Sequence, residues 1–122
     1  MSTREVTRNE WNSFFDTFSK QHEGWIASLE VLGDQVGAQE EAIELPFEGI
    51  SINAEDEQSL IISLGGATED HVSHTVEHPR HVWLRQTDEG ANDSLEIVED
   101  DNQKTLLRFR SPMHPEFVDG IV

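Results

Sequence analysis

The chain contains no cysteine, so disulfides, thiol nucleophiles and cysteine-ligated zinc are excluded outright. It has no long apolar run either. No wholly apolar stretch exceeds three residues, as in Leu60-Ile61-Ile62, far short of a membrane span or a signal-peptide core. No apolar stretch follows the opening Met1-Ser2-Thr3-Arg4-Glu5, so the expected location is the cytoplasm. Positive charge is scarce: 25 acidic residues face 8 basic ones, net −17, and only Lys20 and Lys104 are lysines. A phosphate backbone or an anionic lipid surface would be repelled, and no basic patch interrupts the field, so neither nucleic acid nor membrane is expected as a partner. Such a surface suits either a salty cytoplasm, where ions screen self-repulsion, or a basic partner. Salt adaptation is preferred, because the acids are spread along the whole chain.

Catalytic and cofactor motifs are also missing. Gly65-Gly66 lacks the further glycine, Lys and Ser/Thr of a phosphate loop. There is no Gly-x-Ser-x-Gly and no Ser/His/Asp spacing of a recognisable triad. Asp56-Glu57 and the 88–93 loop lack the Asp-x-Asp-x-Asp-Gly spacing of a calcium loop and read as solvated turns. Adjacent acids such as Glu40-Glu41 and Asp100-Asp101 are too common by chance in this composition to mark a site. No cofactor is expected.

A chain of 122 residues is one domain's worth. We expect a single α+β domain over 1–110 and a tail over 111–122, which lacks periodicity. The clearest element spans residues 7 to 21. Thr7-Arg8-Asn9-Glu10 has the capping-box pattern, and Val6 with Trp11 fits a hydrophobic staple. Trp11, Phe14, Phe15 and Phe18 then share one stripe. That stripe is read as core rather than as a docking face, because so short a helix is marginal without packing. Lys20 and His22 stand near the carboxyl end, where positive charge is favoured, and Gly24 is the expected terminator.

After Gly24 the period becomes two. Alternating runs are read at 25–31, 39–47, 50–52, 60–64, 71–78, 82–86, 94–99 and 105–110, with turn residues between. Pro46 demotes 39–47 to an edge or bent strand, and Glu48-Gly49 is a turn or bulge. Seven to eight short strands after one amphipathic helix predict a strongly bent or barrel-like antiparallel sheet with the helix packed on it.

The opening through Val6 with Trp11 and Phe14, then Gln21-His22-Glu23-Gly24-Trp25, Leu45-Pro46-Phe47-Glu48-Gly49-Ile50, Val82-Trp83-Leu84 and Leu106-Leu107-Arg108-Phe109 resemble the bacterial domain-of-unknown-function family 5335. The resemblance covers residues 1 to about 110 and leaves the tail outside. It implies a bacterial stand-alone protein and carries over no functional residue.

Four of the six histidines, His71, His74, His78 and His81, fall in one stretch. Helical spacing would put His74 and His78 on one face, as metal ligands require. The β-formers around them and Pro79 predict instead a hairpin with its loop at Pro79-Arg80-His81. That register puts Val72, His74, Val76, Val82 and Leu84 on one face and Ser73, Thr75, Glu77, Trp83 and Arg85 on the other. His74 and His78 would then be ~13–14 Å apart along the strand, too far to share an ion. His74, inward on a strand expected to be central, remains the candidate catalytic residue; the bland alternative is a core histidine with satisfied hydrogen bonds. An exposed Trp83 beside Arg85 would mark an interaction surface. The leading expectation is a non-catalytic module binding a protein or small molecule. The alternative is a small enzyme or metal-dependent protein using His74 with carboxylates from neighbouring strands. Self-association through the helix stripe or the tail is a further expectation.

Overall fold

The computed structural model describes residues 2–33, 37–56, 58–66 and 70–110. The expected tail over 111–122 lies outside them. Eight antiparallel strands and one helix run in the order β1 (Ser2–Val6), α1 (Trp11–His22), β2 (Ile26–Gly33), β3 (Gly37–Ile52), β4 (Ser59–Leu64), β5 (Val72–Glu77), β6 (Pro79–Gln86), β7 (Asn92–Glu99) and β8 (Lys104–Phe109). The strands form one sheet in the order β1-β6-β7-β8-β2-β3-β4-β5.

That order forces the sheet to curl. β5 and β6 stand six strand spacings apart, about 29 Å if the sheet were flat. Yet one residue, His78, joins Glu77 to Pro79, and two trans peptide steps reach only about 7 Å. The β5 edge must therefore swing round to the start of β6. The sheet is bent far towards a barrel without closing, since β1 and β5 share no ladder. One contiguous core fills it, including Leu29, Phe47, Ile62, Leu64, Leu95, Ile97 and Leu107.

The hairpin expected across Pro79–His81 does not exist. β5 pairs with β4, from Ser59↔Glu77 to Leu64↔Val72, while β6 pairs with β1 and β7. A single linking residue is too short for any hairpin loop, which needs at least two. β5 is also an edge strand, not a central one. Pro79 opens β6, a position that asks little of its missing N–H. The face assignment nevertheless holds. Val76, Val82 and Leu84 are buried and Val72 and His74 half-buried, while Ser73, Thr75, Glu77 and Arg85 are exposed. Trp83 is half-buried on the outer face, its ring 6.1 Å from that of His81.

Two expected strands, 39–47 and 50–52, are one. β3 pairs with β2 up to Pro46 and with β4 from Phe47 onward. Register shifts place three bulges on it: Glu41, Ile43-Glu44 opposite Ser28, and Glu48. Glu44 takes a positive φ of 49° there, and its amide donates to Ser28 Oγ at 3.0 Å. Each bulge adds twist and moves later side chains to the other face. Ile43, expected inside, is 60% exposed for that reason, and Ala42 is buried. β1 was not anticipated; of its five residues only Val6 is buried.

α1 packs chiefly on β3. A 3-10 turn at Arg8–Glu10 leads into it, and Glu10 Oε2 accepts from the Thr7 amide at 3.2 Å. Trp11 Nε1 donates to Val6 O at 2.8 Å, fastening the staple. Trp11, Phe15 and Phe18 are buried in the core and Phe14 is half-buried, so self-association through this stripe would require unpacking the helix. His22 is not a solvated C-terminal charge but a fully buried residue. Its Nδ1–H donates to Phe18 O at 2.7 Å, which leaves Nε2 to accept from Asn92 Nδ2 at 3.3 Å. Its ring stacks on Phe109 at 4.8 Å and meets Trp25 edge-on at 4.6 Å. Desolvation by burial pulls its pKa below 6.5, partly offset by the Phe18 bond.

Candidate functional site

The four clustered histidines point to four places. His71 precedes β5, with Nδ1 2.9 Å from Glu48 Oε2, at ion-pair distance but not along a hydrogen-bond direction. His78 forms the β5–β6 corner with φ 53°. His81 lies on the outer face of β6, and its Nδ1 meets Glu5 Oε2 at 2.6 Å. His74 alone faces inward, opposite Ile62. His74 and His78 are not brought together, and no group of three metal-ligating residues is assembled among the described residues.

His74 fits neither simple account given for it. Its Nε2 is buried with no hydrogen-bond partner among the described residues, so they do not make it a satisfied core histidine. Burial lowers its pKa, while the field of Glu41 works in the opposite direction. Glu41 belongs to β3, two strands from β5 in the sheet. A neutral imidazole beside a carboxylate can in principle take up a proton. None of the clefts described next includes His74 in its lining.

Those clefts run beside α1. One, of about 430 Å³, lies between α1 and β3–β4, lined by Asn12, Phe15, Asp16 and Ser19 on the helix side and by Glu48–Ile52, Ile61 and Ser63 on the sheet side. A second, of about 470 Å³, continues from the shared residues Asn12 and Ile52 to Arg8, Asn53 and Ala54. A third, of about 210 Å³, continues from Arg8 to Gln58, His78, Pro79 and Asp100. The three adjoin through shared residues, Asn12 and Ile52 and then Arg8; the first two border α1 and the third borders the 3-10 turn before it. Phe15, Ile50, Ile52 and Ile61 line the first cleft among polar residues, Ile52 also reaches the second, and the third is polar apart from Pro79.

Local chemistry fixes both sides of the groove. Beyond Phe47, β3 has β4 on one side only. On the other side Ser19 Oγ donates to Ile50 O at 3.0 Å and accepts from Ile50 N at 2.9 Å, doing for one residue what a neighbouring strand would do. Gly49 lets the helix approach: a Cβ there would already touch Ser19 Oγ at 3.4 Å. At the far end Arg8 donates to Pro79 O at 2.8 Å and lies 4.4 Å from the centre of the Trp11 ring. Asp16 pairs with Lys20 on the exposed helix surface, 3.1 Å apart. Sequence reasoning placed none of these residues in a site. Asn12, Asp16 and Ser19 lie off the aromatic stripe and carry no signal of their own, and the usable signal was the Glu48-Gly49 bulge.

The family of unknown function DUF5335 matches this chain over residues 2–117, seven residues beyond the point where the resemblance was expected to end. An uncharacterized protein of Aquifex aeolicus (strain VF5) is 26% identical over 110 residues, covering 90% of this chain and 94% of the relative. No solved structure matches it. No described helix is long and apolar enough to cross a membrane. A match over nearly the full length settles kinship: the chain belongs to the DUF5335 family.

Proposed function

We propose that this protein is a non-catalytic interaction module that holds an extended, basic segment of a partner protein in the groove along α1. The observation that carries the reading is the run of adjoining clefts from Glu48 to Asp100, with Ile50, Ile52 and Ile61 in its first part and Asp16, Glu48 and Asp100 along it. An extended chain needs apolar side pockets and polar walls. The net charge of −17 attracts a basic segment and speeds its encounter. The acid-rich, lysine-poor composition also supports a salty bacterial cytoplasm as its setting.

The test is NMR titration with decapeptides that alternate lysine or arginine with leucine, against glutamate-leucine controls. Basic peptides should shift the amides of Asn12, Ser19 and Gly49–Ile52, and Ser51→Arg should abolish the effect. Shifts spread evenly over the acidic surface would defeat the reading.

A second reading, a small enzyme using His74 with Glu41, draws on the unpartnered Nε2 and the nearby carboxylate. It predicts that His74→Leu destroys an activity without loss of stability.

A further inference from the structure

In a chain with 25 acids and 8 basic residues, every cation has carboxylates to choose from. Arg4 lies on Glu10 at 3.4 Å, Lys20 on Asp16 at 3.1 Å, Arg80 on Asp100 at 3.5 Å, Lys104 on Glu96 at 3.5 Å and Arg110 on Glu44 at 3.7 Å. Arg8 is held by Pro79 O and the Trp11 ring. Arg85 and Arg108 alone have no partner among the described residues. These two are neighbours in the fold. Arg85 of β6 stands opposite Ser94 of β7, and Ser94 stands opposite Arg108 of β8. The row lies on the outer face of the sheet, because Leu84, Leu95 and Leu107 beside it are buried in the core. Ser94 is only 2% exposed, and no described residue hydrogen-bonds to its hydroxyl. Next to it opens a pit of about 10 Å³, walled by Trp83, Arg85, Glu96 and Leu106, which is room for about one water-sized atom.

We propose that Arg85, Ser94 and Arg108 form a binding site for the phosphate group of a small phosphorylated molecule, on the outer face of the sheet and independent of the groove along α1. Two strand spacings put the arginine Cα atoms about 10 Å apart, one on each side of Ser94. Two guanidinium forks can therefore close on one anion from opposite sides, each with paired N–H donors. The Ser94 hydroxyl donates from below. A phosphomonoester matches this arrangement, with three terminal oxygens and nearly two negative charges for two cations. A carboxylate, with two oxygens and one charge, leaves part of it idle. The acids nearby do not compete. Glu96 is neutralised by Lys104 at 3.5 Å, and Glu5 meets His81 Nδ1 at 2.6 Å. Glu30 stands on the neighbouring row, opposite Leu106. Trp83, half-buried on the same face as Arg85 and two residues before it, offers its ring to an apolar or aromatic group carried by the phosphate. The net charge of −17 turns away long polyanions, so the site selects a small ligand.

NMR titration of the full chain with phenyl phosphate tests the site, with benzoate and inorganic phosphate as comparisons. Phenyl phosphate should move the Ser94 amide and the Arg85 and Arg108 Nε–H signals along one saturating curve. Benzoate should bind about ten-fold more weakly or worse, because it loses charge-assisted hydrogen bonds. Inorganic phosphate should move the same signals with lower affinity, since it carries nothing to rest on Trp83. Arg85→Gln and Arg108→Gln should each weaken phenyl phosphate by about ten-fold or more. Arg85→Lys keeps the charge but not the fork and should weaken it as well. Both arginines are exposed, so these variants should keep the wild-type amide spectrum away from the site. Shifts that do not saturate, benzoate binding as well as the phosphate, or full affinity in Arg85→Lys or in either glutamine variant would each overturn the site. Equal affinity for inorganic phosphate would overturn its assignment to a phosphorylated molecule.

Discussion

The buried histidine at the end of α1 allows a sharp test of how the core treats charge. His22→Leu removes the acceptor of Asn92 Nδ2 and replaces a ring stacked on Phe109 with an aliphatic group. Phe18 O sits inside the helix and keeps its i+4 backbone bond. The orphaned Asn92 donor costs about 1–3 kcal/mol, and the lost ring contacts add about 0.5–1.5 kcal/mol. Leucine's own burial offsets part of this, so the net penalty at pH 7.5 should be about 1–3 kcal/mol. That penalty should shrink on acidification. His22 titrates below 6.5 in the folded protein, so below pH 6.5 the unfolded chain binds a proton that the folded chain does not. Stability from this residue is fully present above 6.5 and is lost as pH falls towards the folded value, by up to about 1.4 kcal/mol per pH unit. The leucine variant has no such loss. Urea melts at pH 7.5, 6.5, 5.5 and 4.5 should therefore show the gap between the two proteins narrowing as the pH falls below 6.5. His74, also lowered, titrates in both and cancels in the difference. A gap that stays constant, or widens in acid, would mean that His22 is not held neutral in the core.

Three further outcomes follow from other parts of the fold. Ser19→Ala strips Ile50 of both edge partners and should cost about 1–2 kcal/mol in urea, after about 0.5 kcal/mol of regained helix propensity; an unchanged midpoint would show that the edge is not held by this hydroxyl. Gly65→Ala should cost more than Gly24→Ala, although both sites have positive φ (95° and 88°). A Cβ at Gly65 would lie 2.7 Å from His71 Cα, whereas at Gly24 nothing is within 4 Å, so equal penalties would refute the close approach. Melting in 0.1 M and 1 M potassium chloride tests the salt-adaptation reading, because screening shortens from ~10 Å to ~3 Å. The midpoint should rise by at least about 4 °C, the shift that about 1 kcal/mol produces in a domain of this size, and a flat response would count against it.

Local patterns in this chain report faces well and neighbours badly. The 3.6-residue stripe located α1, and strict alternation placed Val76, Val82 and Leu84 inside correctly although their assumed pairing was wrong. Alternation depends only on which side of the strand is buried, so it survives any change of partner. Pairing is a long-range property, and the β5–β6 link across the seam has no local signature beyond its brevity. β3 defeated the same logic from the other side. Its three bulges change the phase of the alternation, so one 16-residue strand reads as two. β1 escaped notice because a strand with one buried residue has almost no pattern to detect.

The same distinction explains why the candidate sites were so unevenly legible. The histidine-rich stretch drew attention through composition, but composition says nothing of where each ring points, and the fold sends the four to the approach to β5, an interior, a corner and an outer face. Residues with stronger structural roles were hidden by their ordinary surroundings. His22 continues the stripe of Trp11, Phe15 and Phe18 at spacings of four, three and four, so phase alone places it in the core, against its reading as a terminal charge. Glu99 continues the inward phase of Leu95 and Ile97, yet it was overlooked beside the more conspicuous Asp100-Asp101. In a chain with 25 acids, the carboxylate worth finding is the one whose phase puts it where charge is expensive. That criterion selects Glu99 without any appeal to clustering, and it leaves Asp100 and Asp101 as the turn they were taken to be.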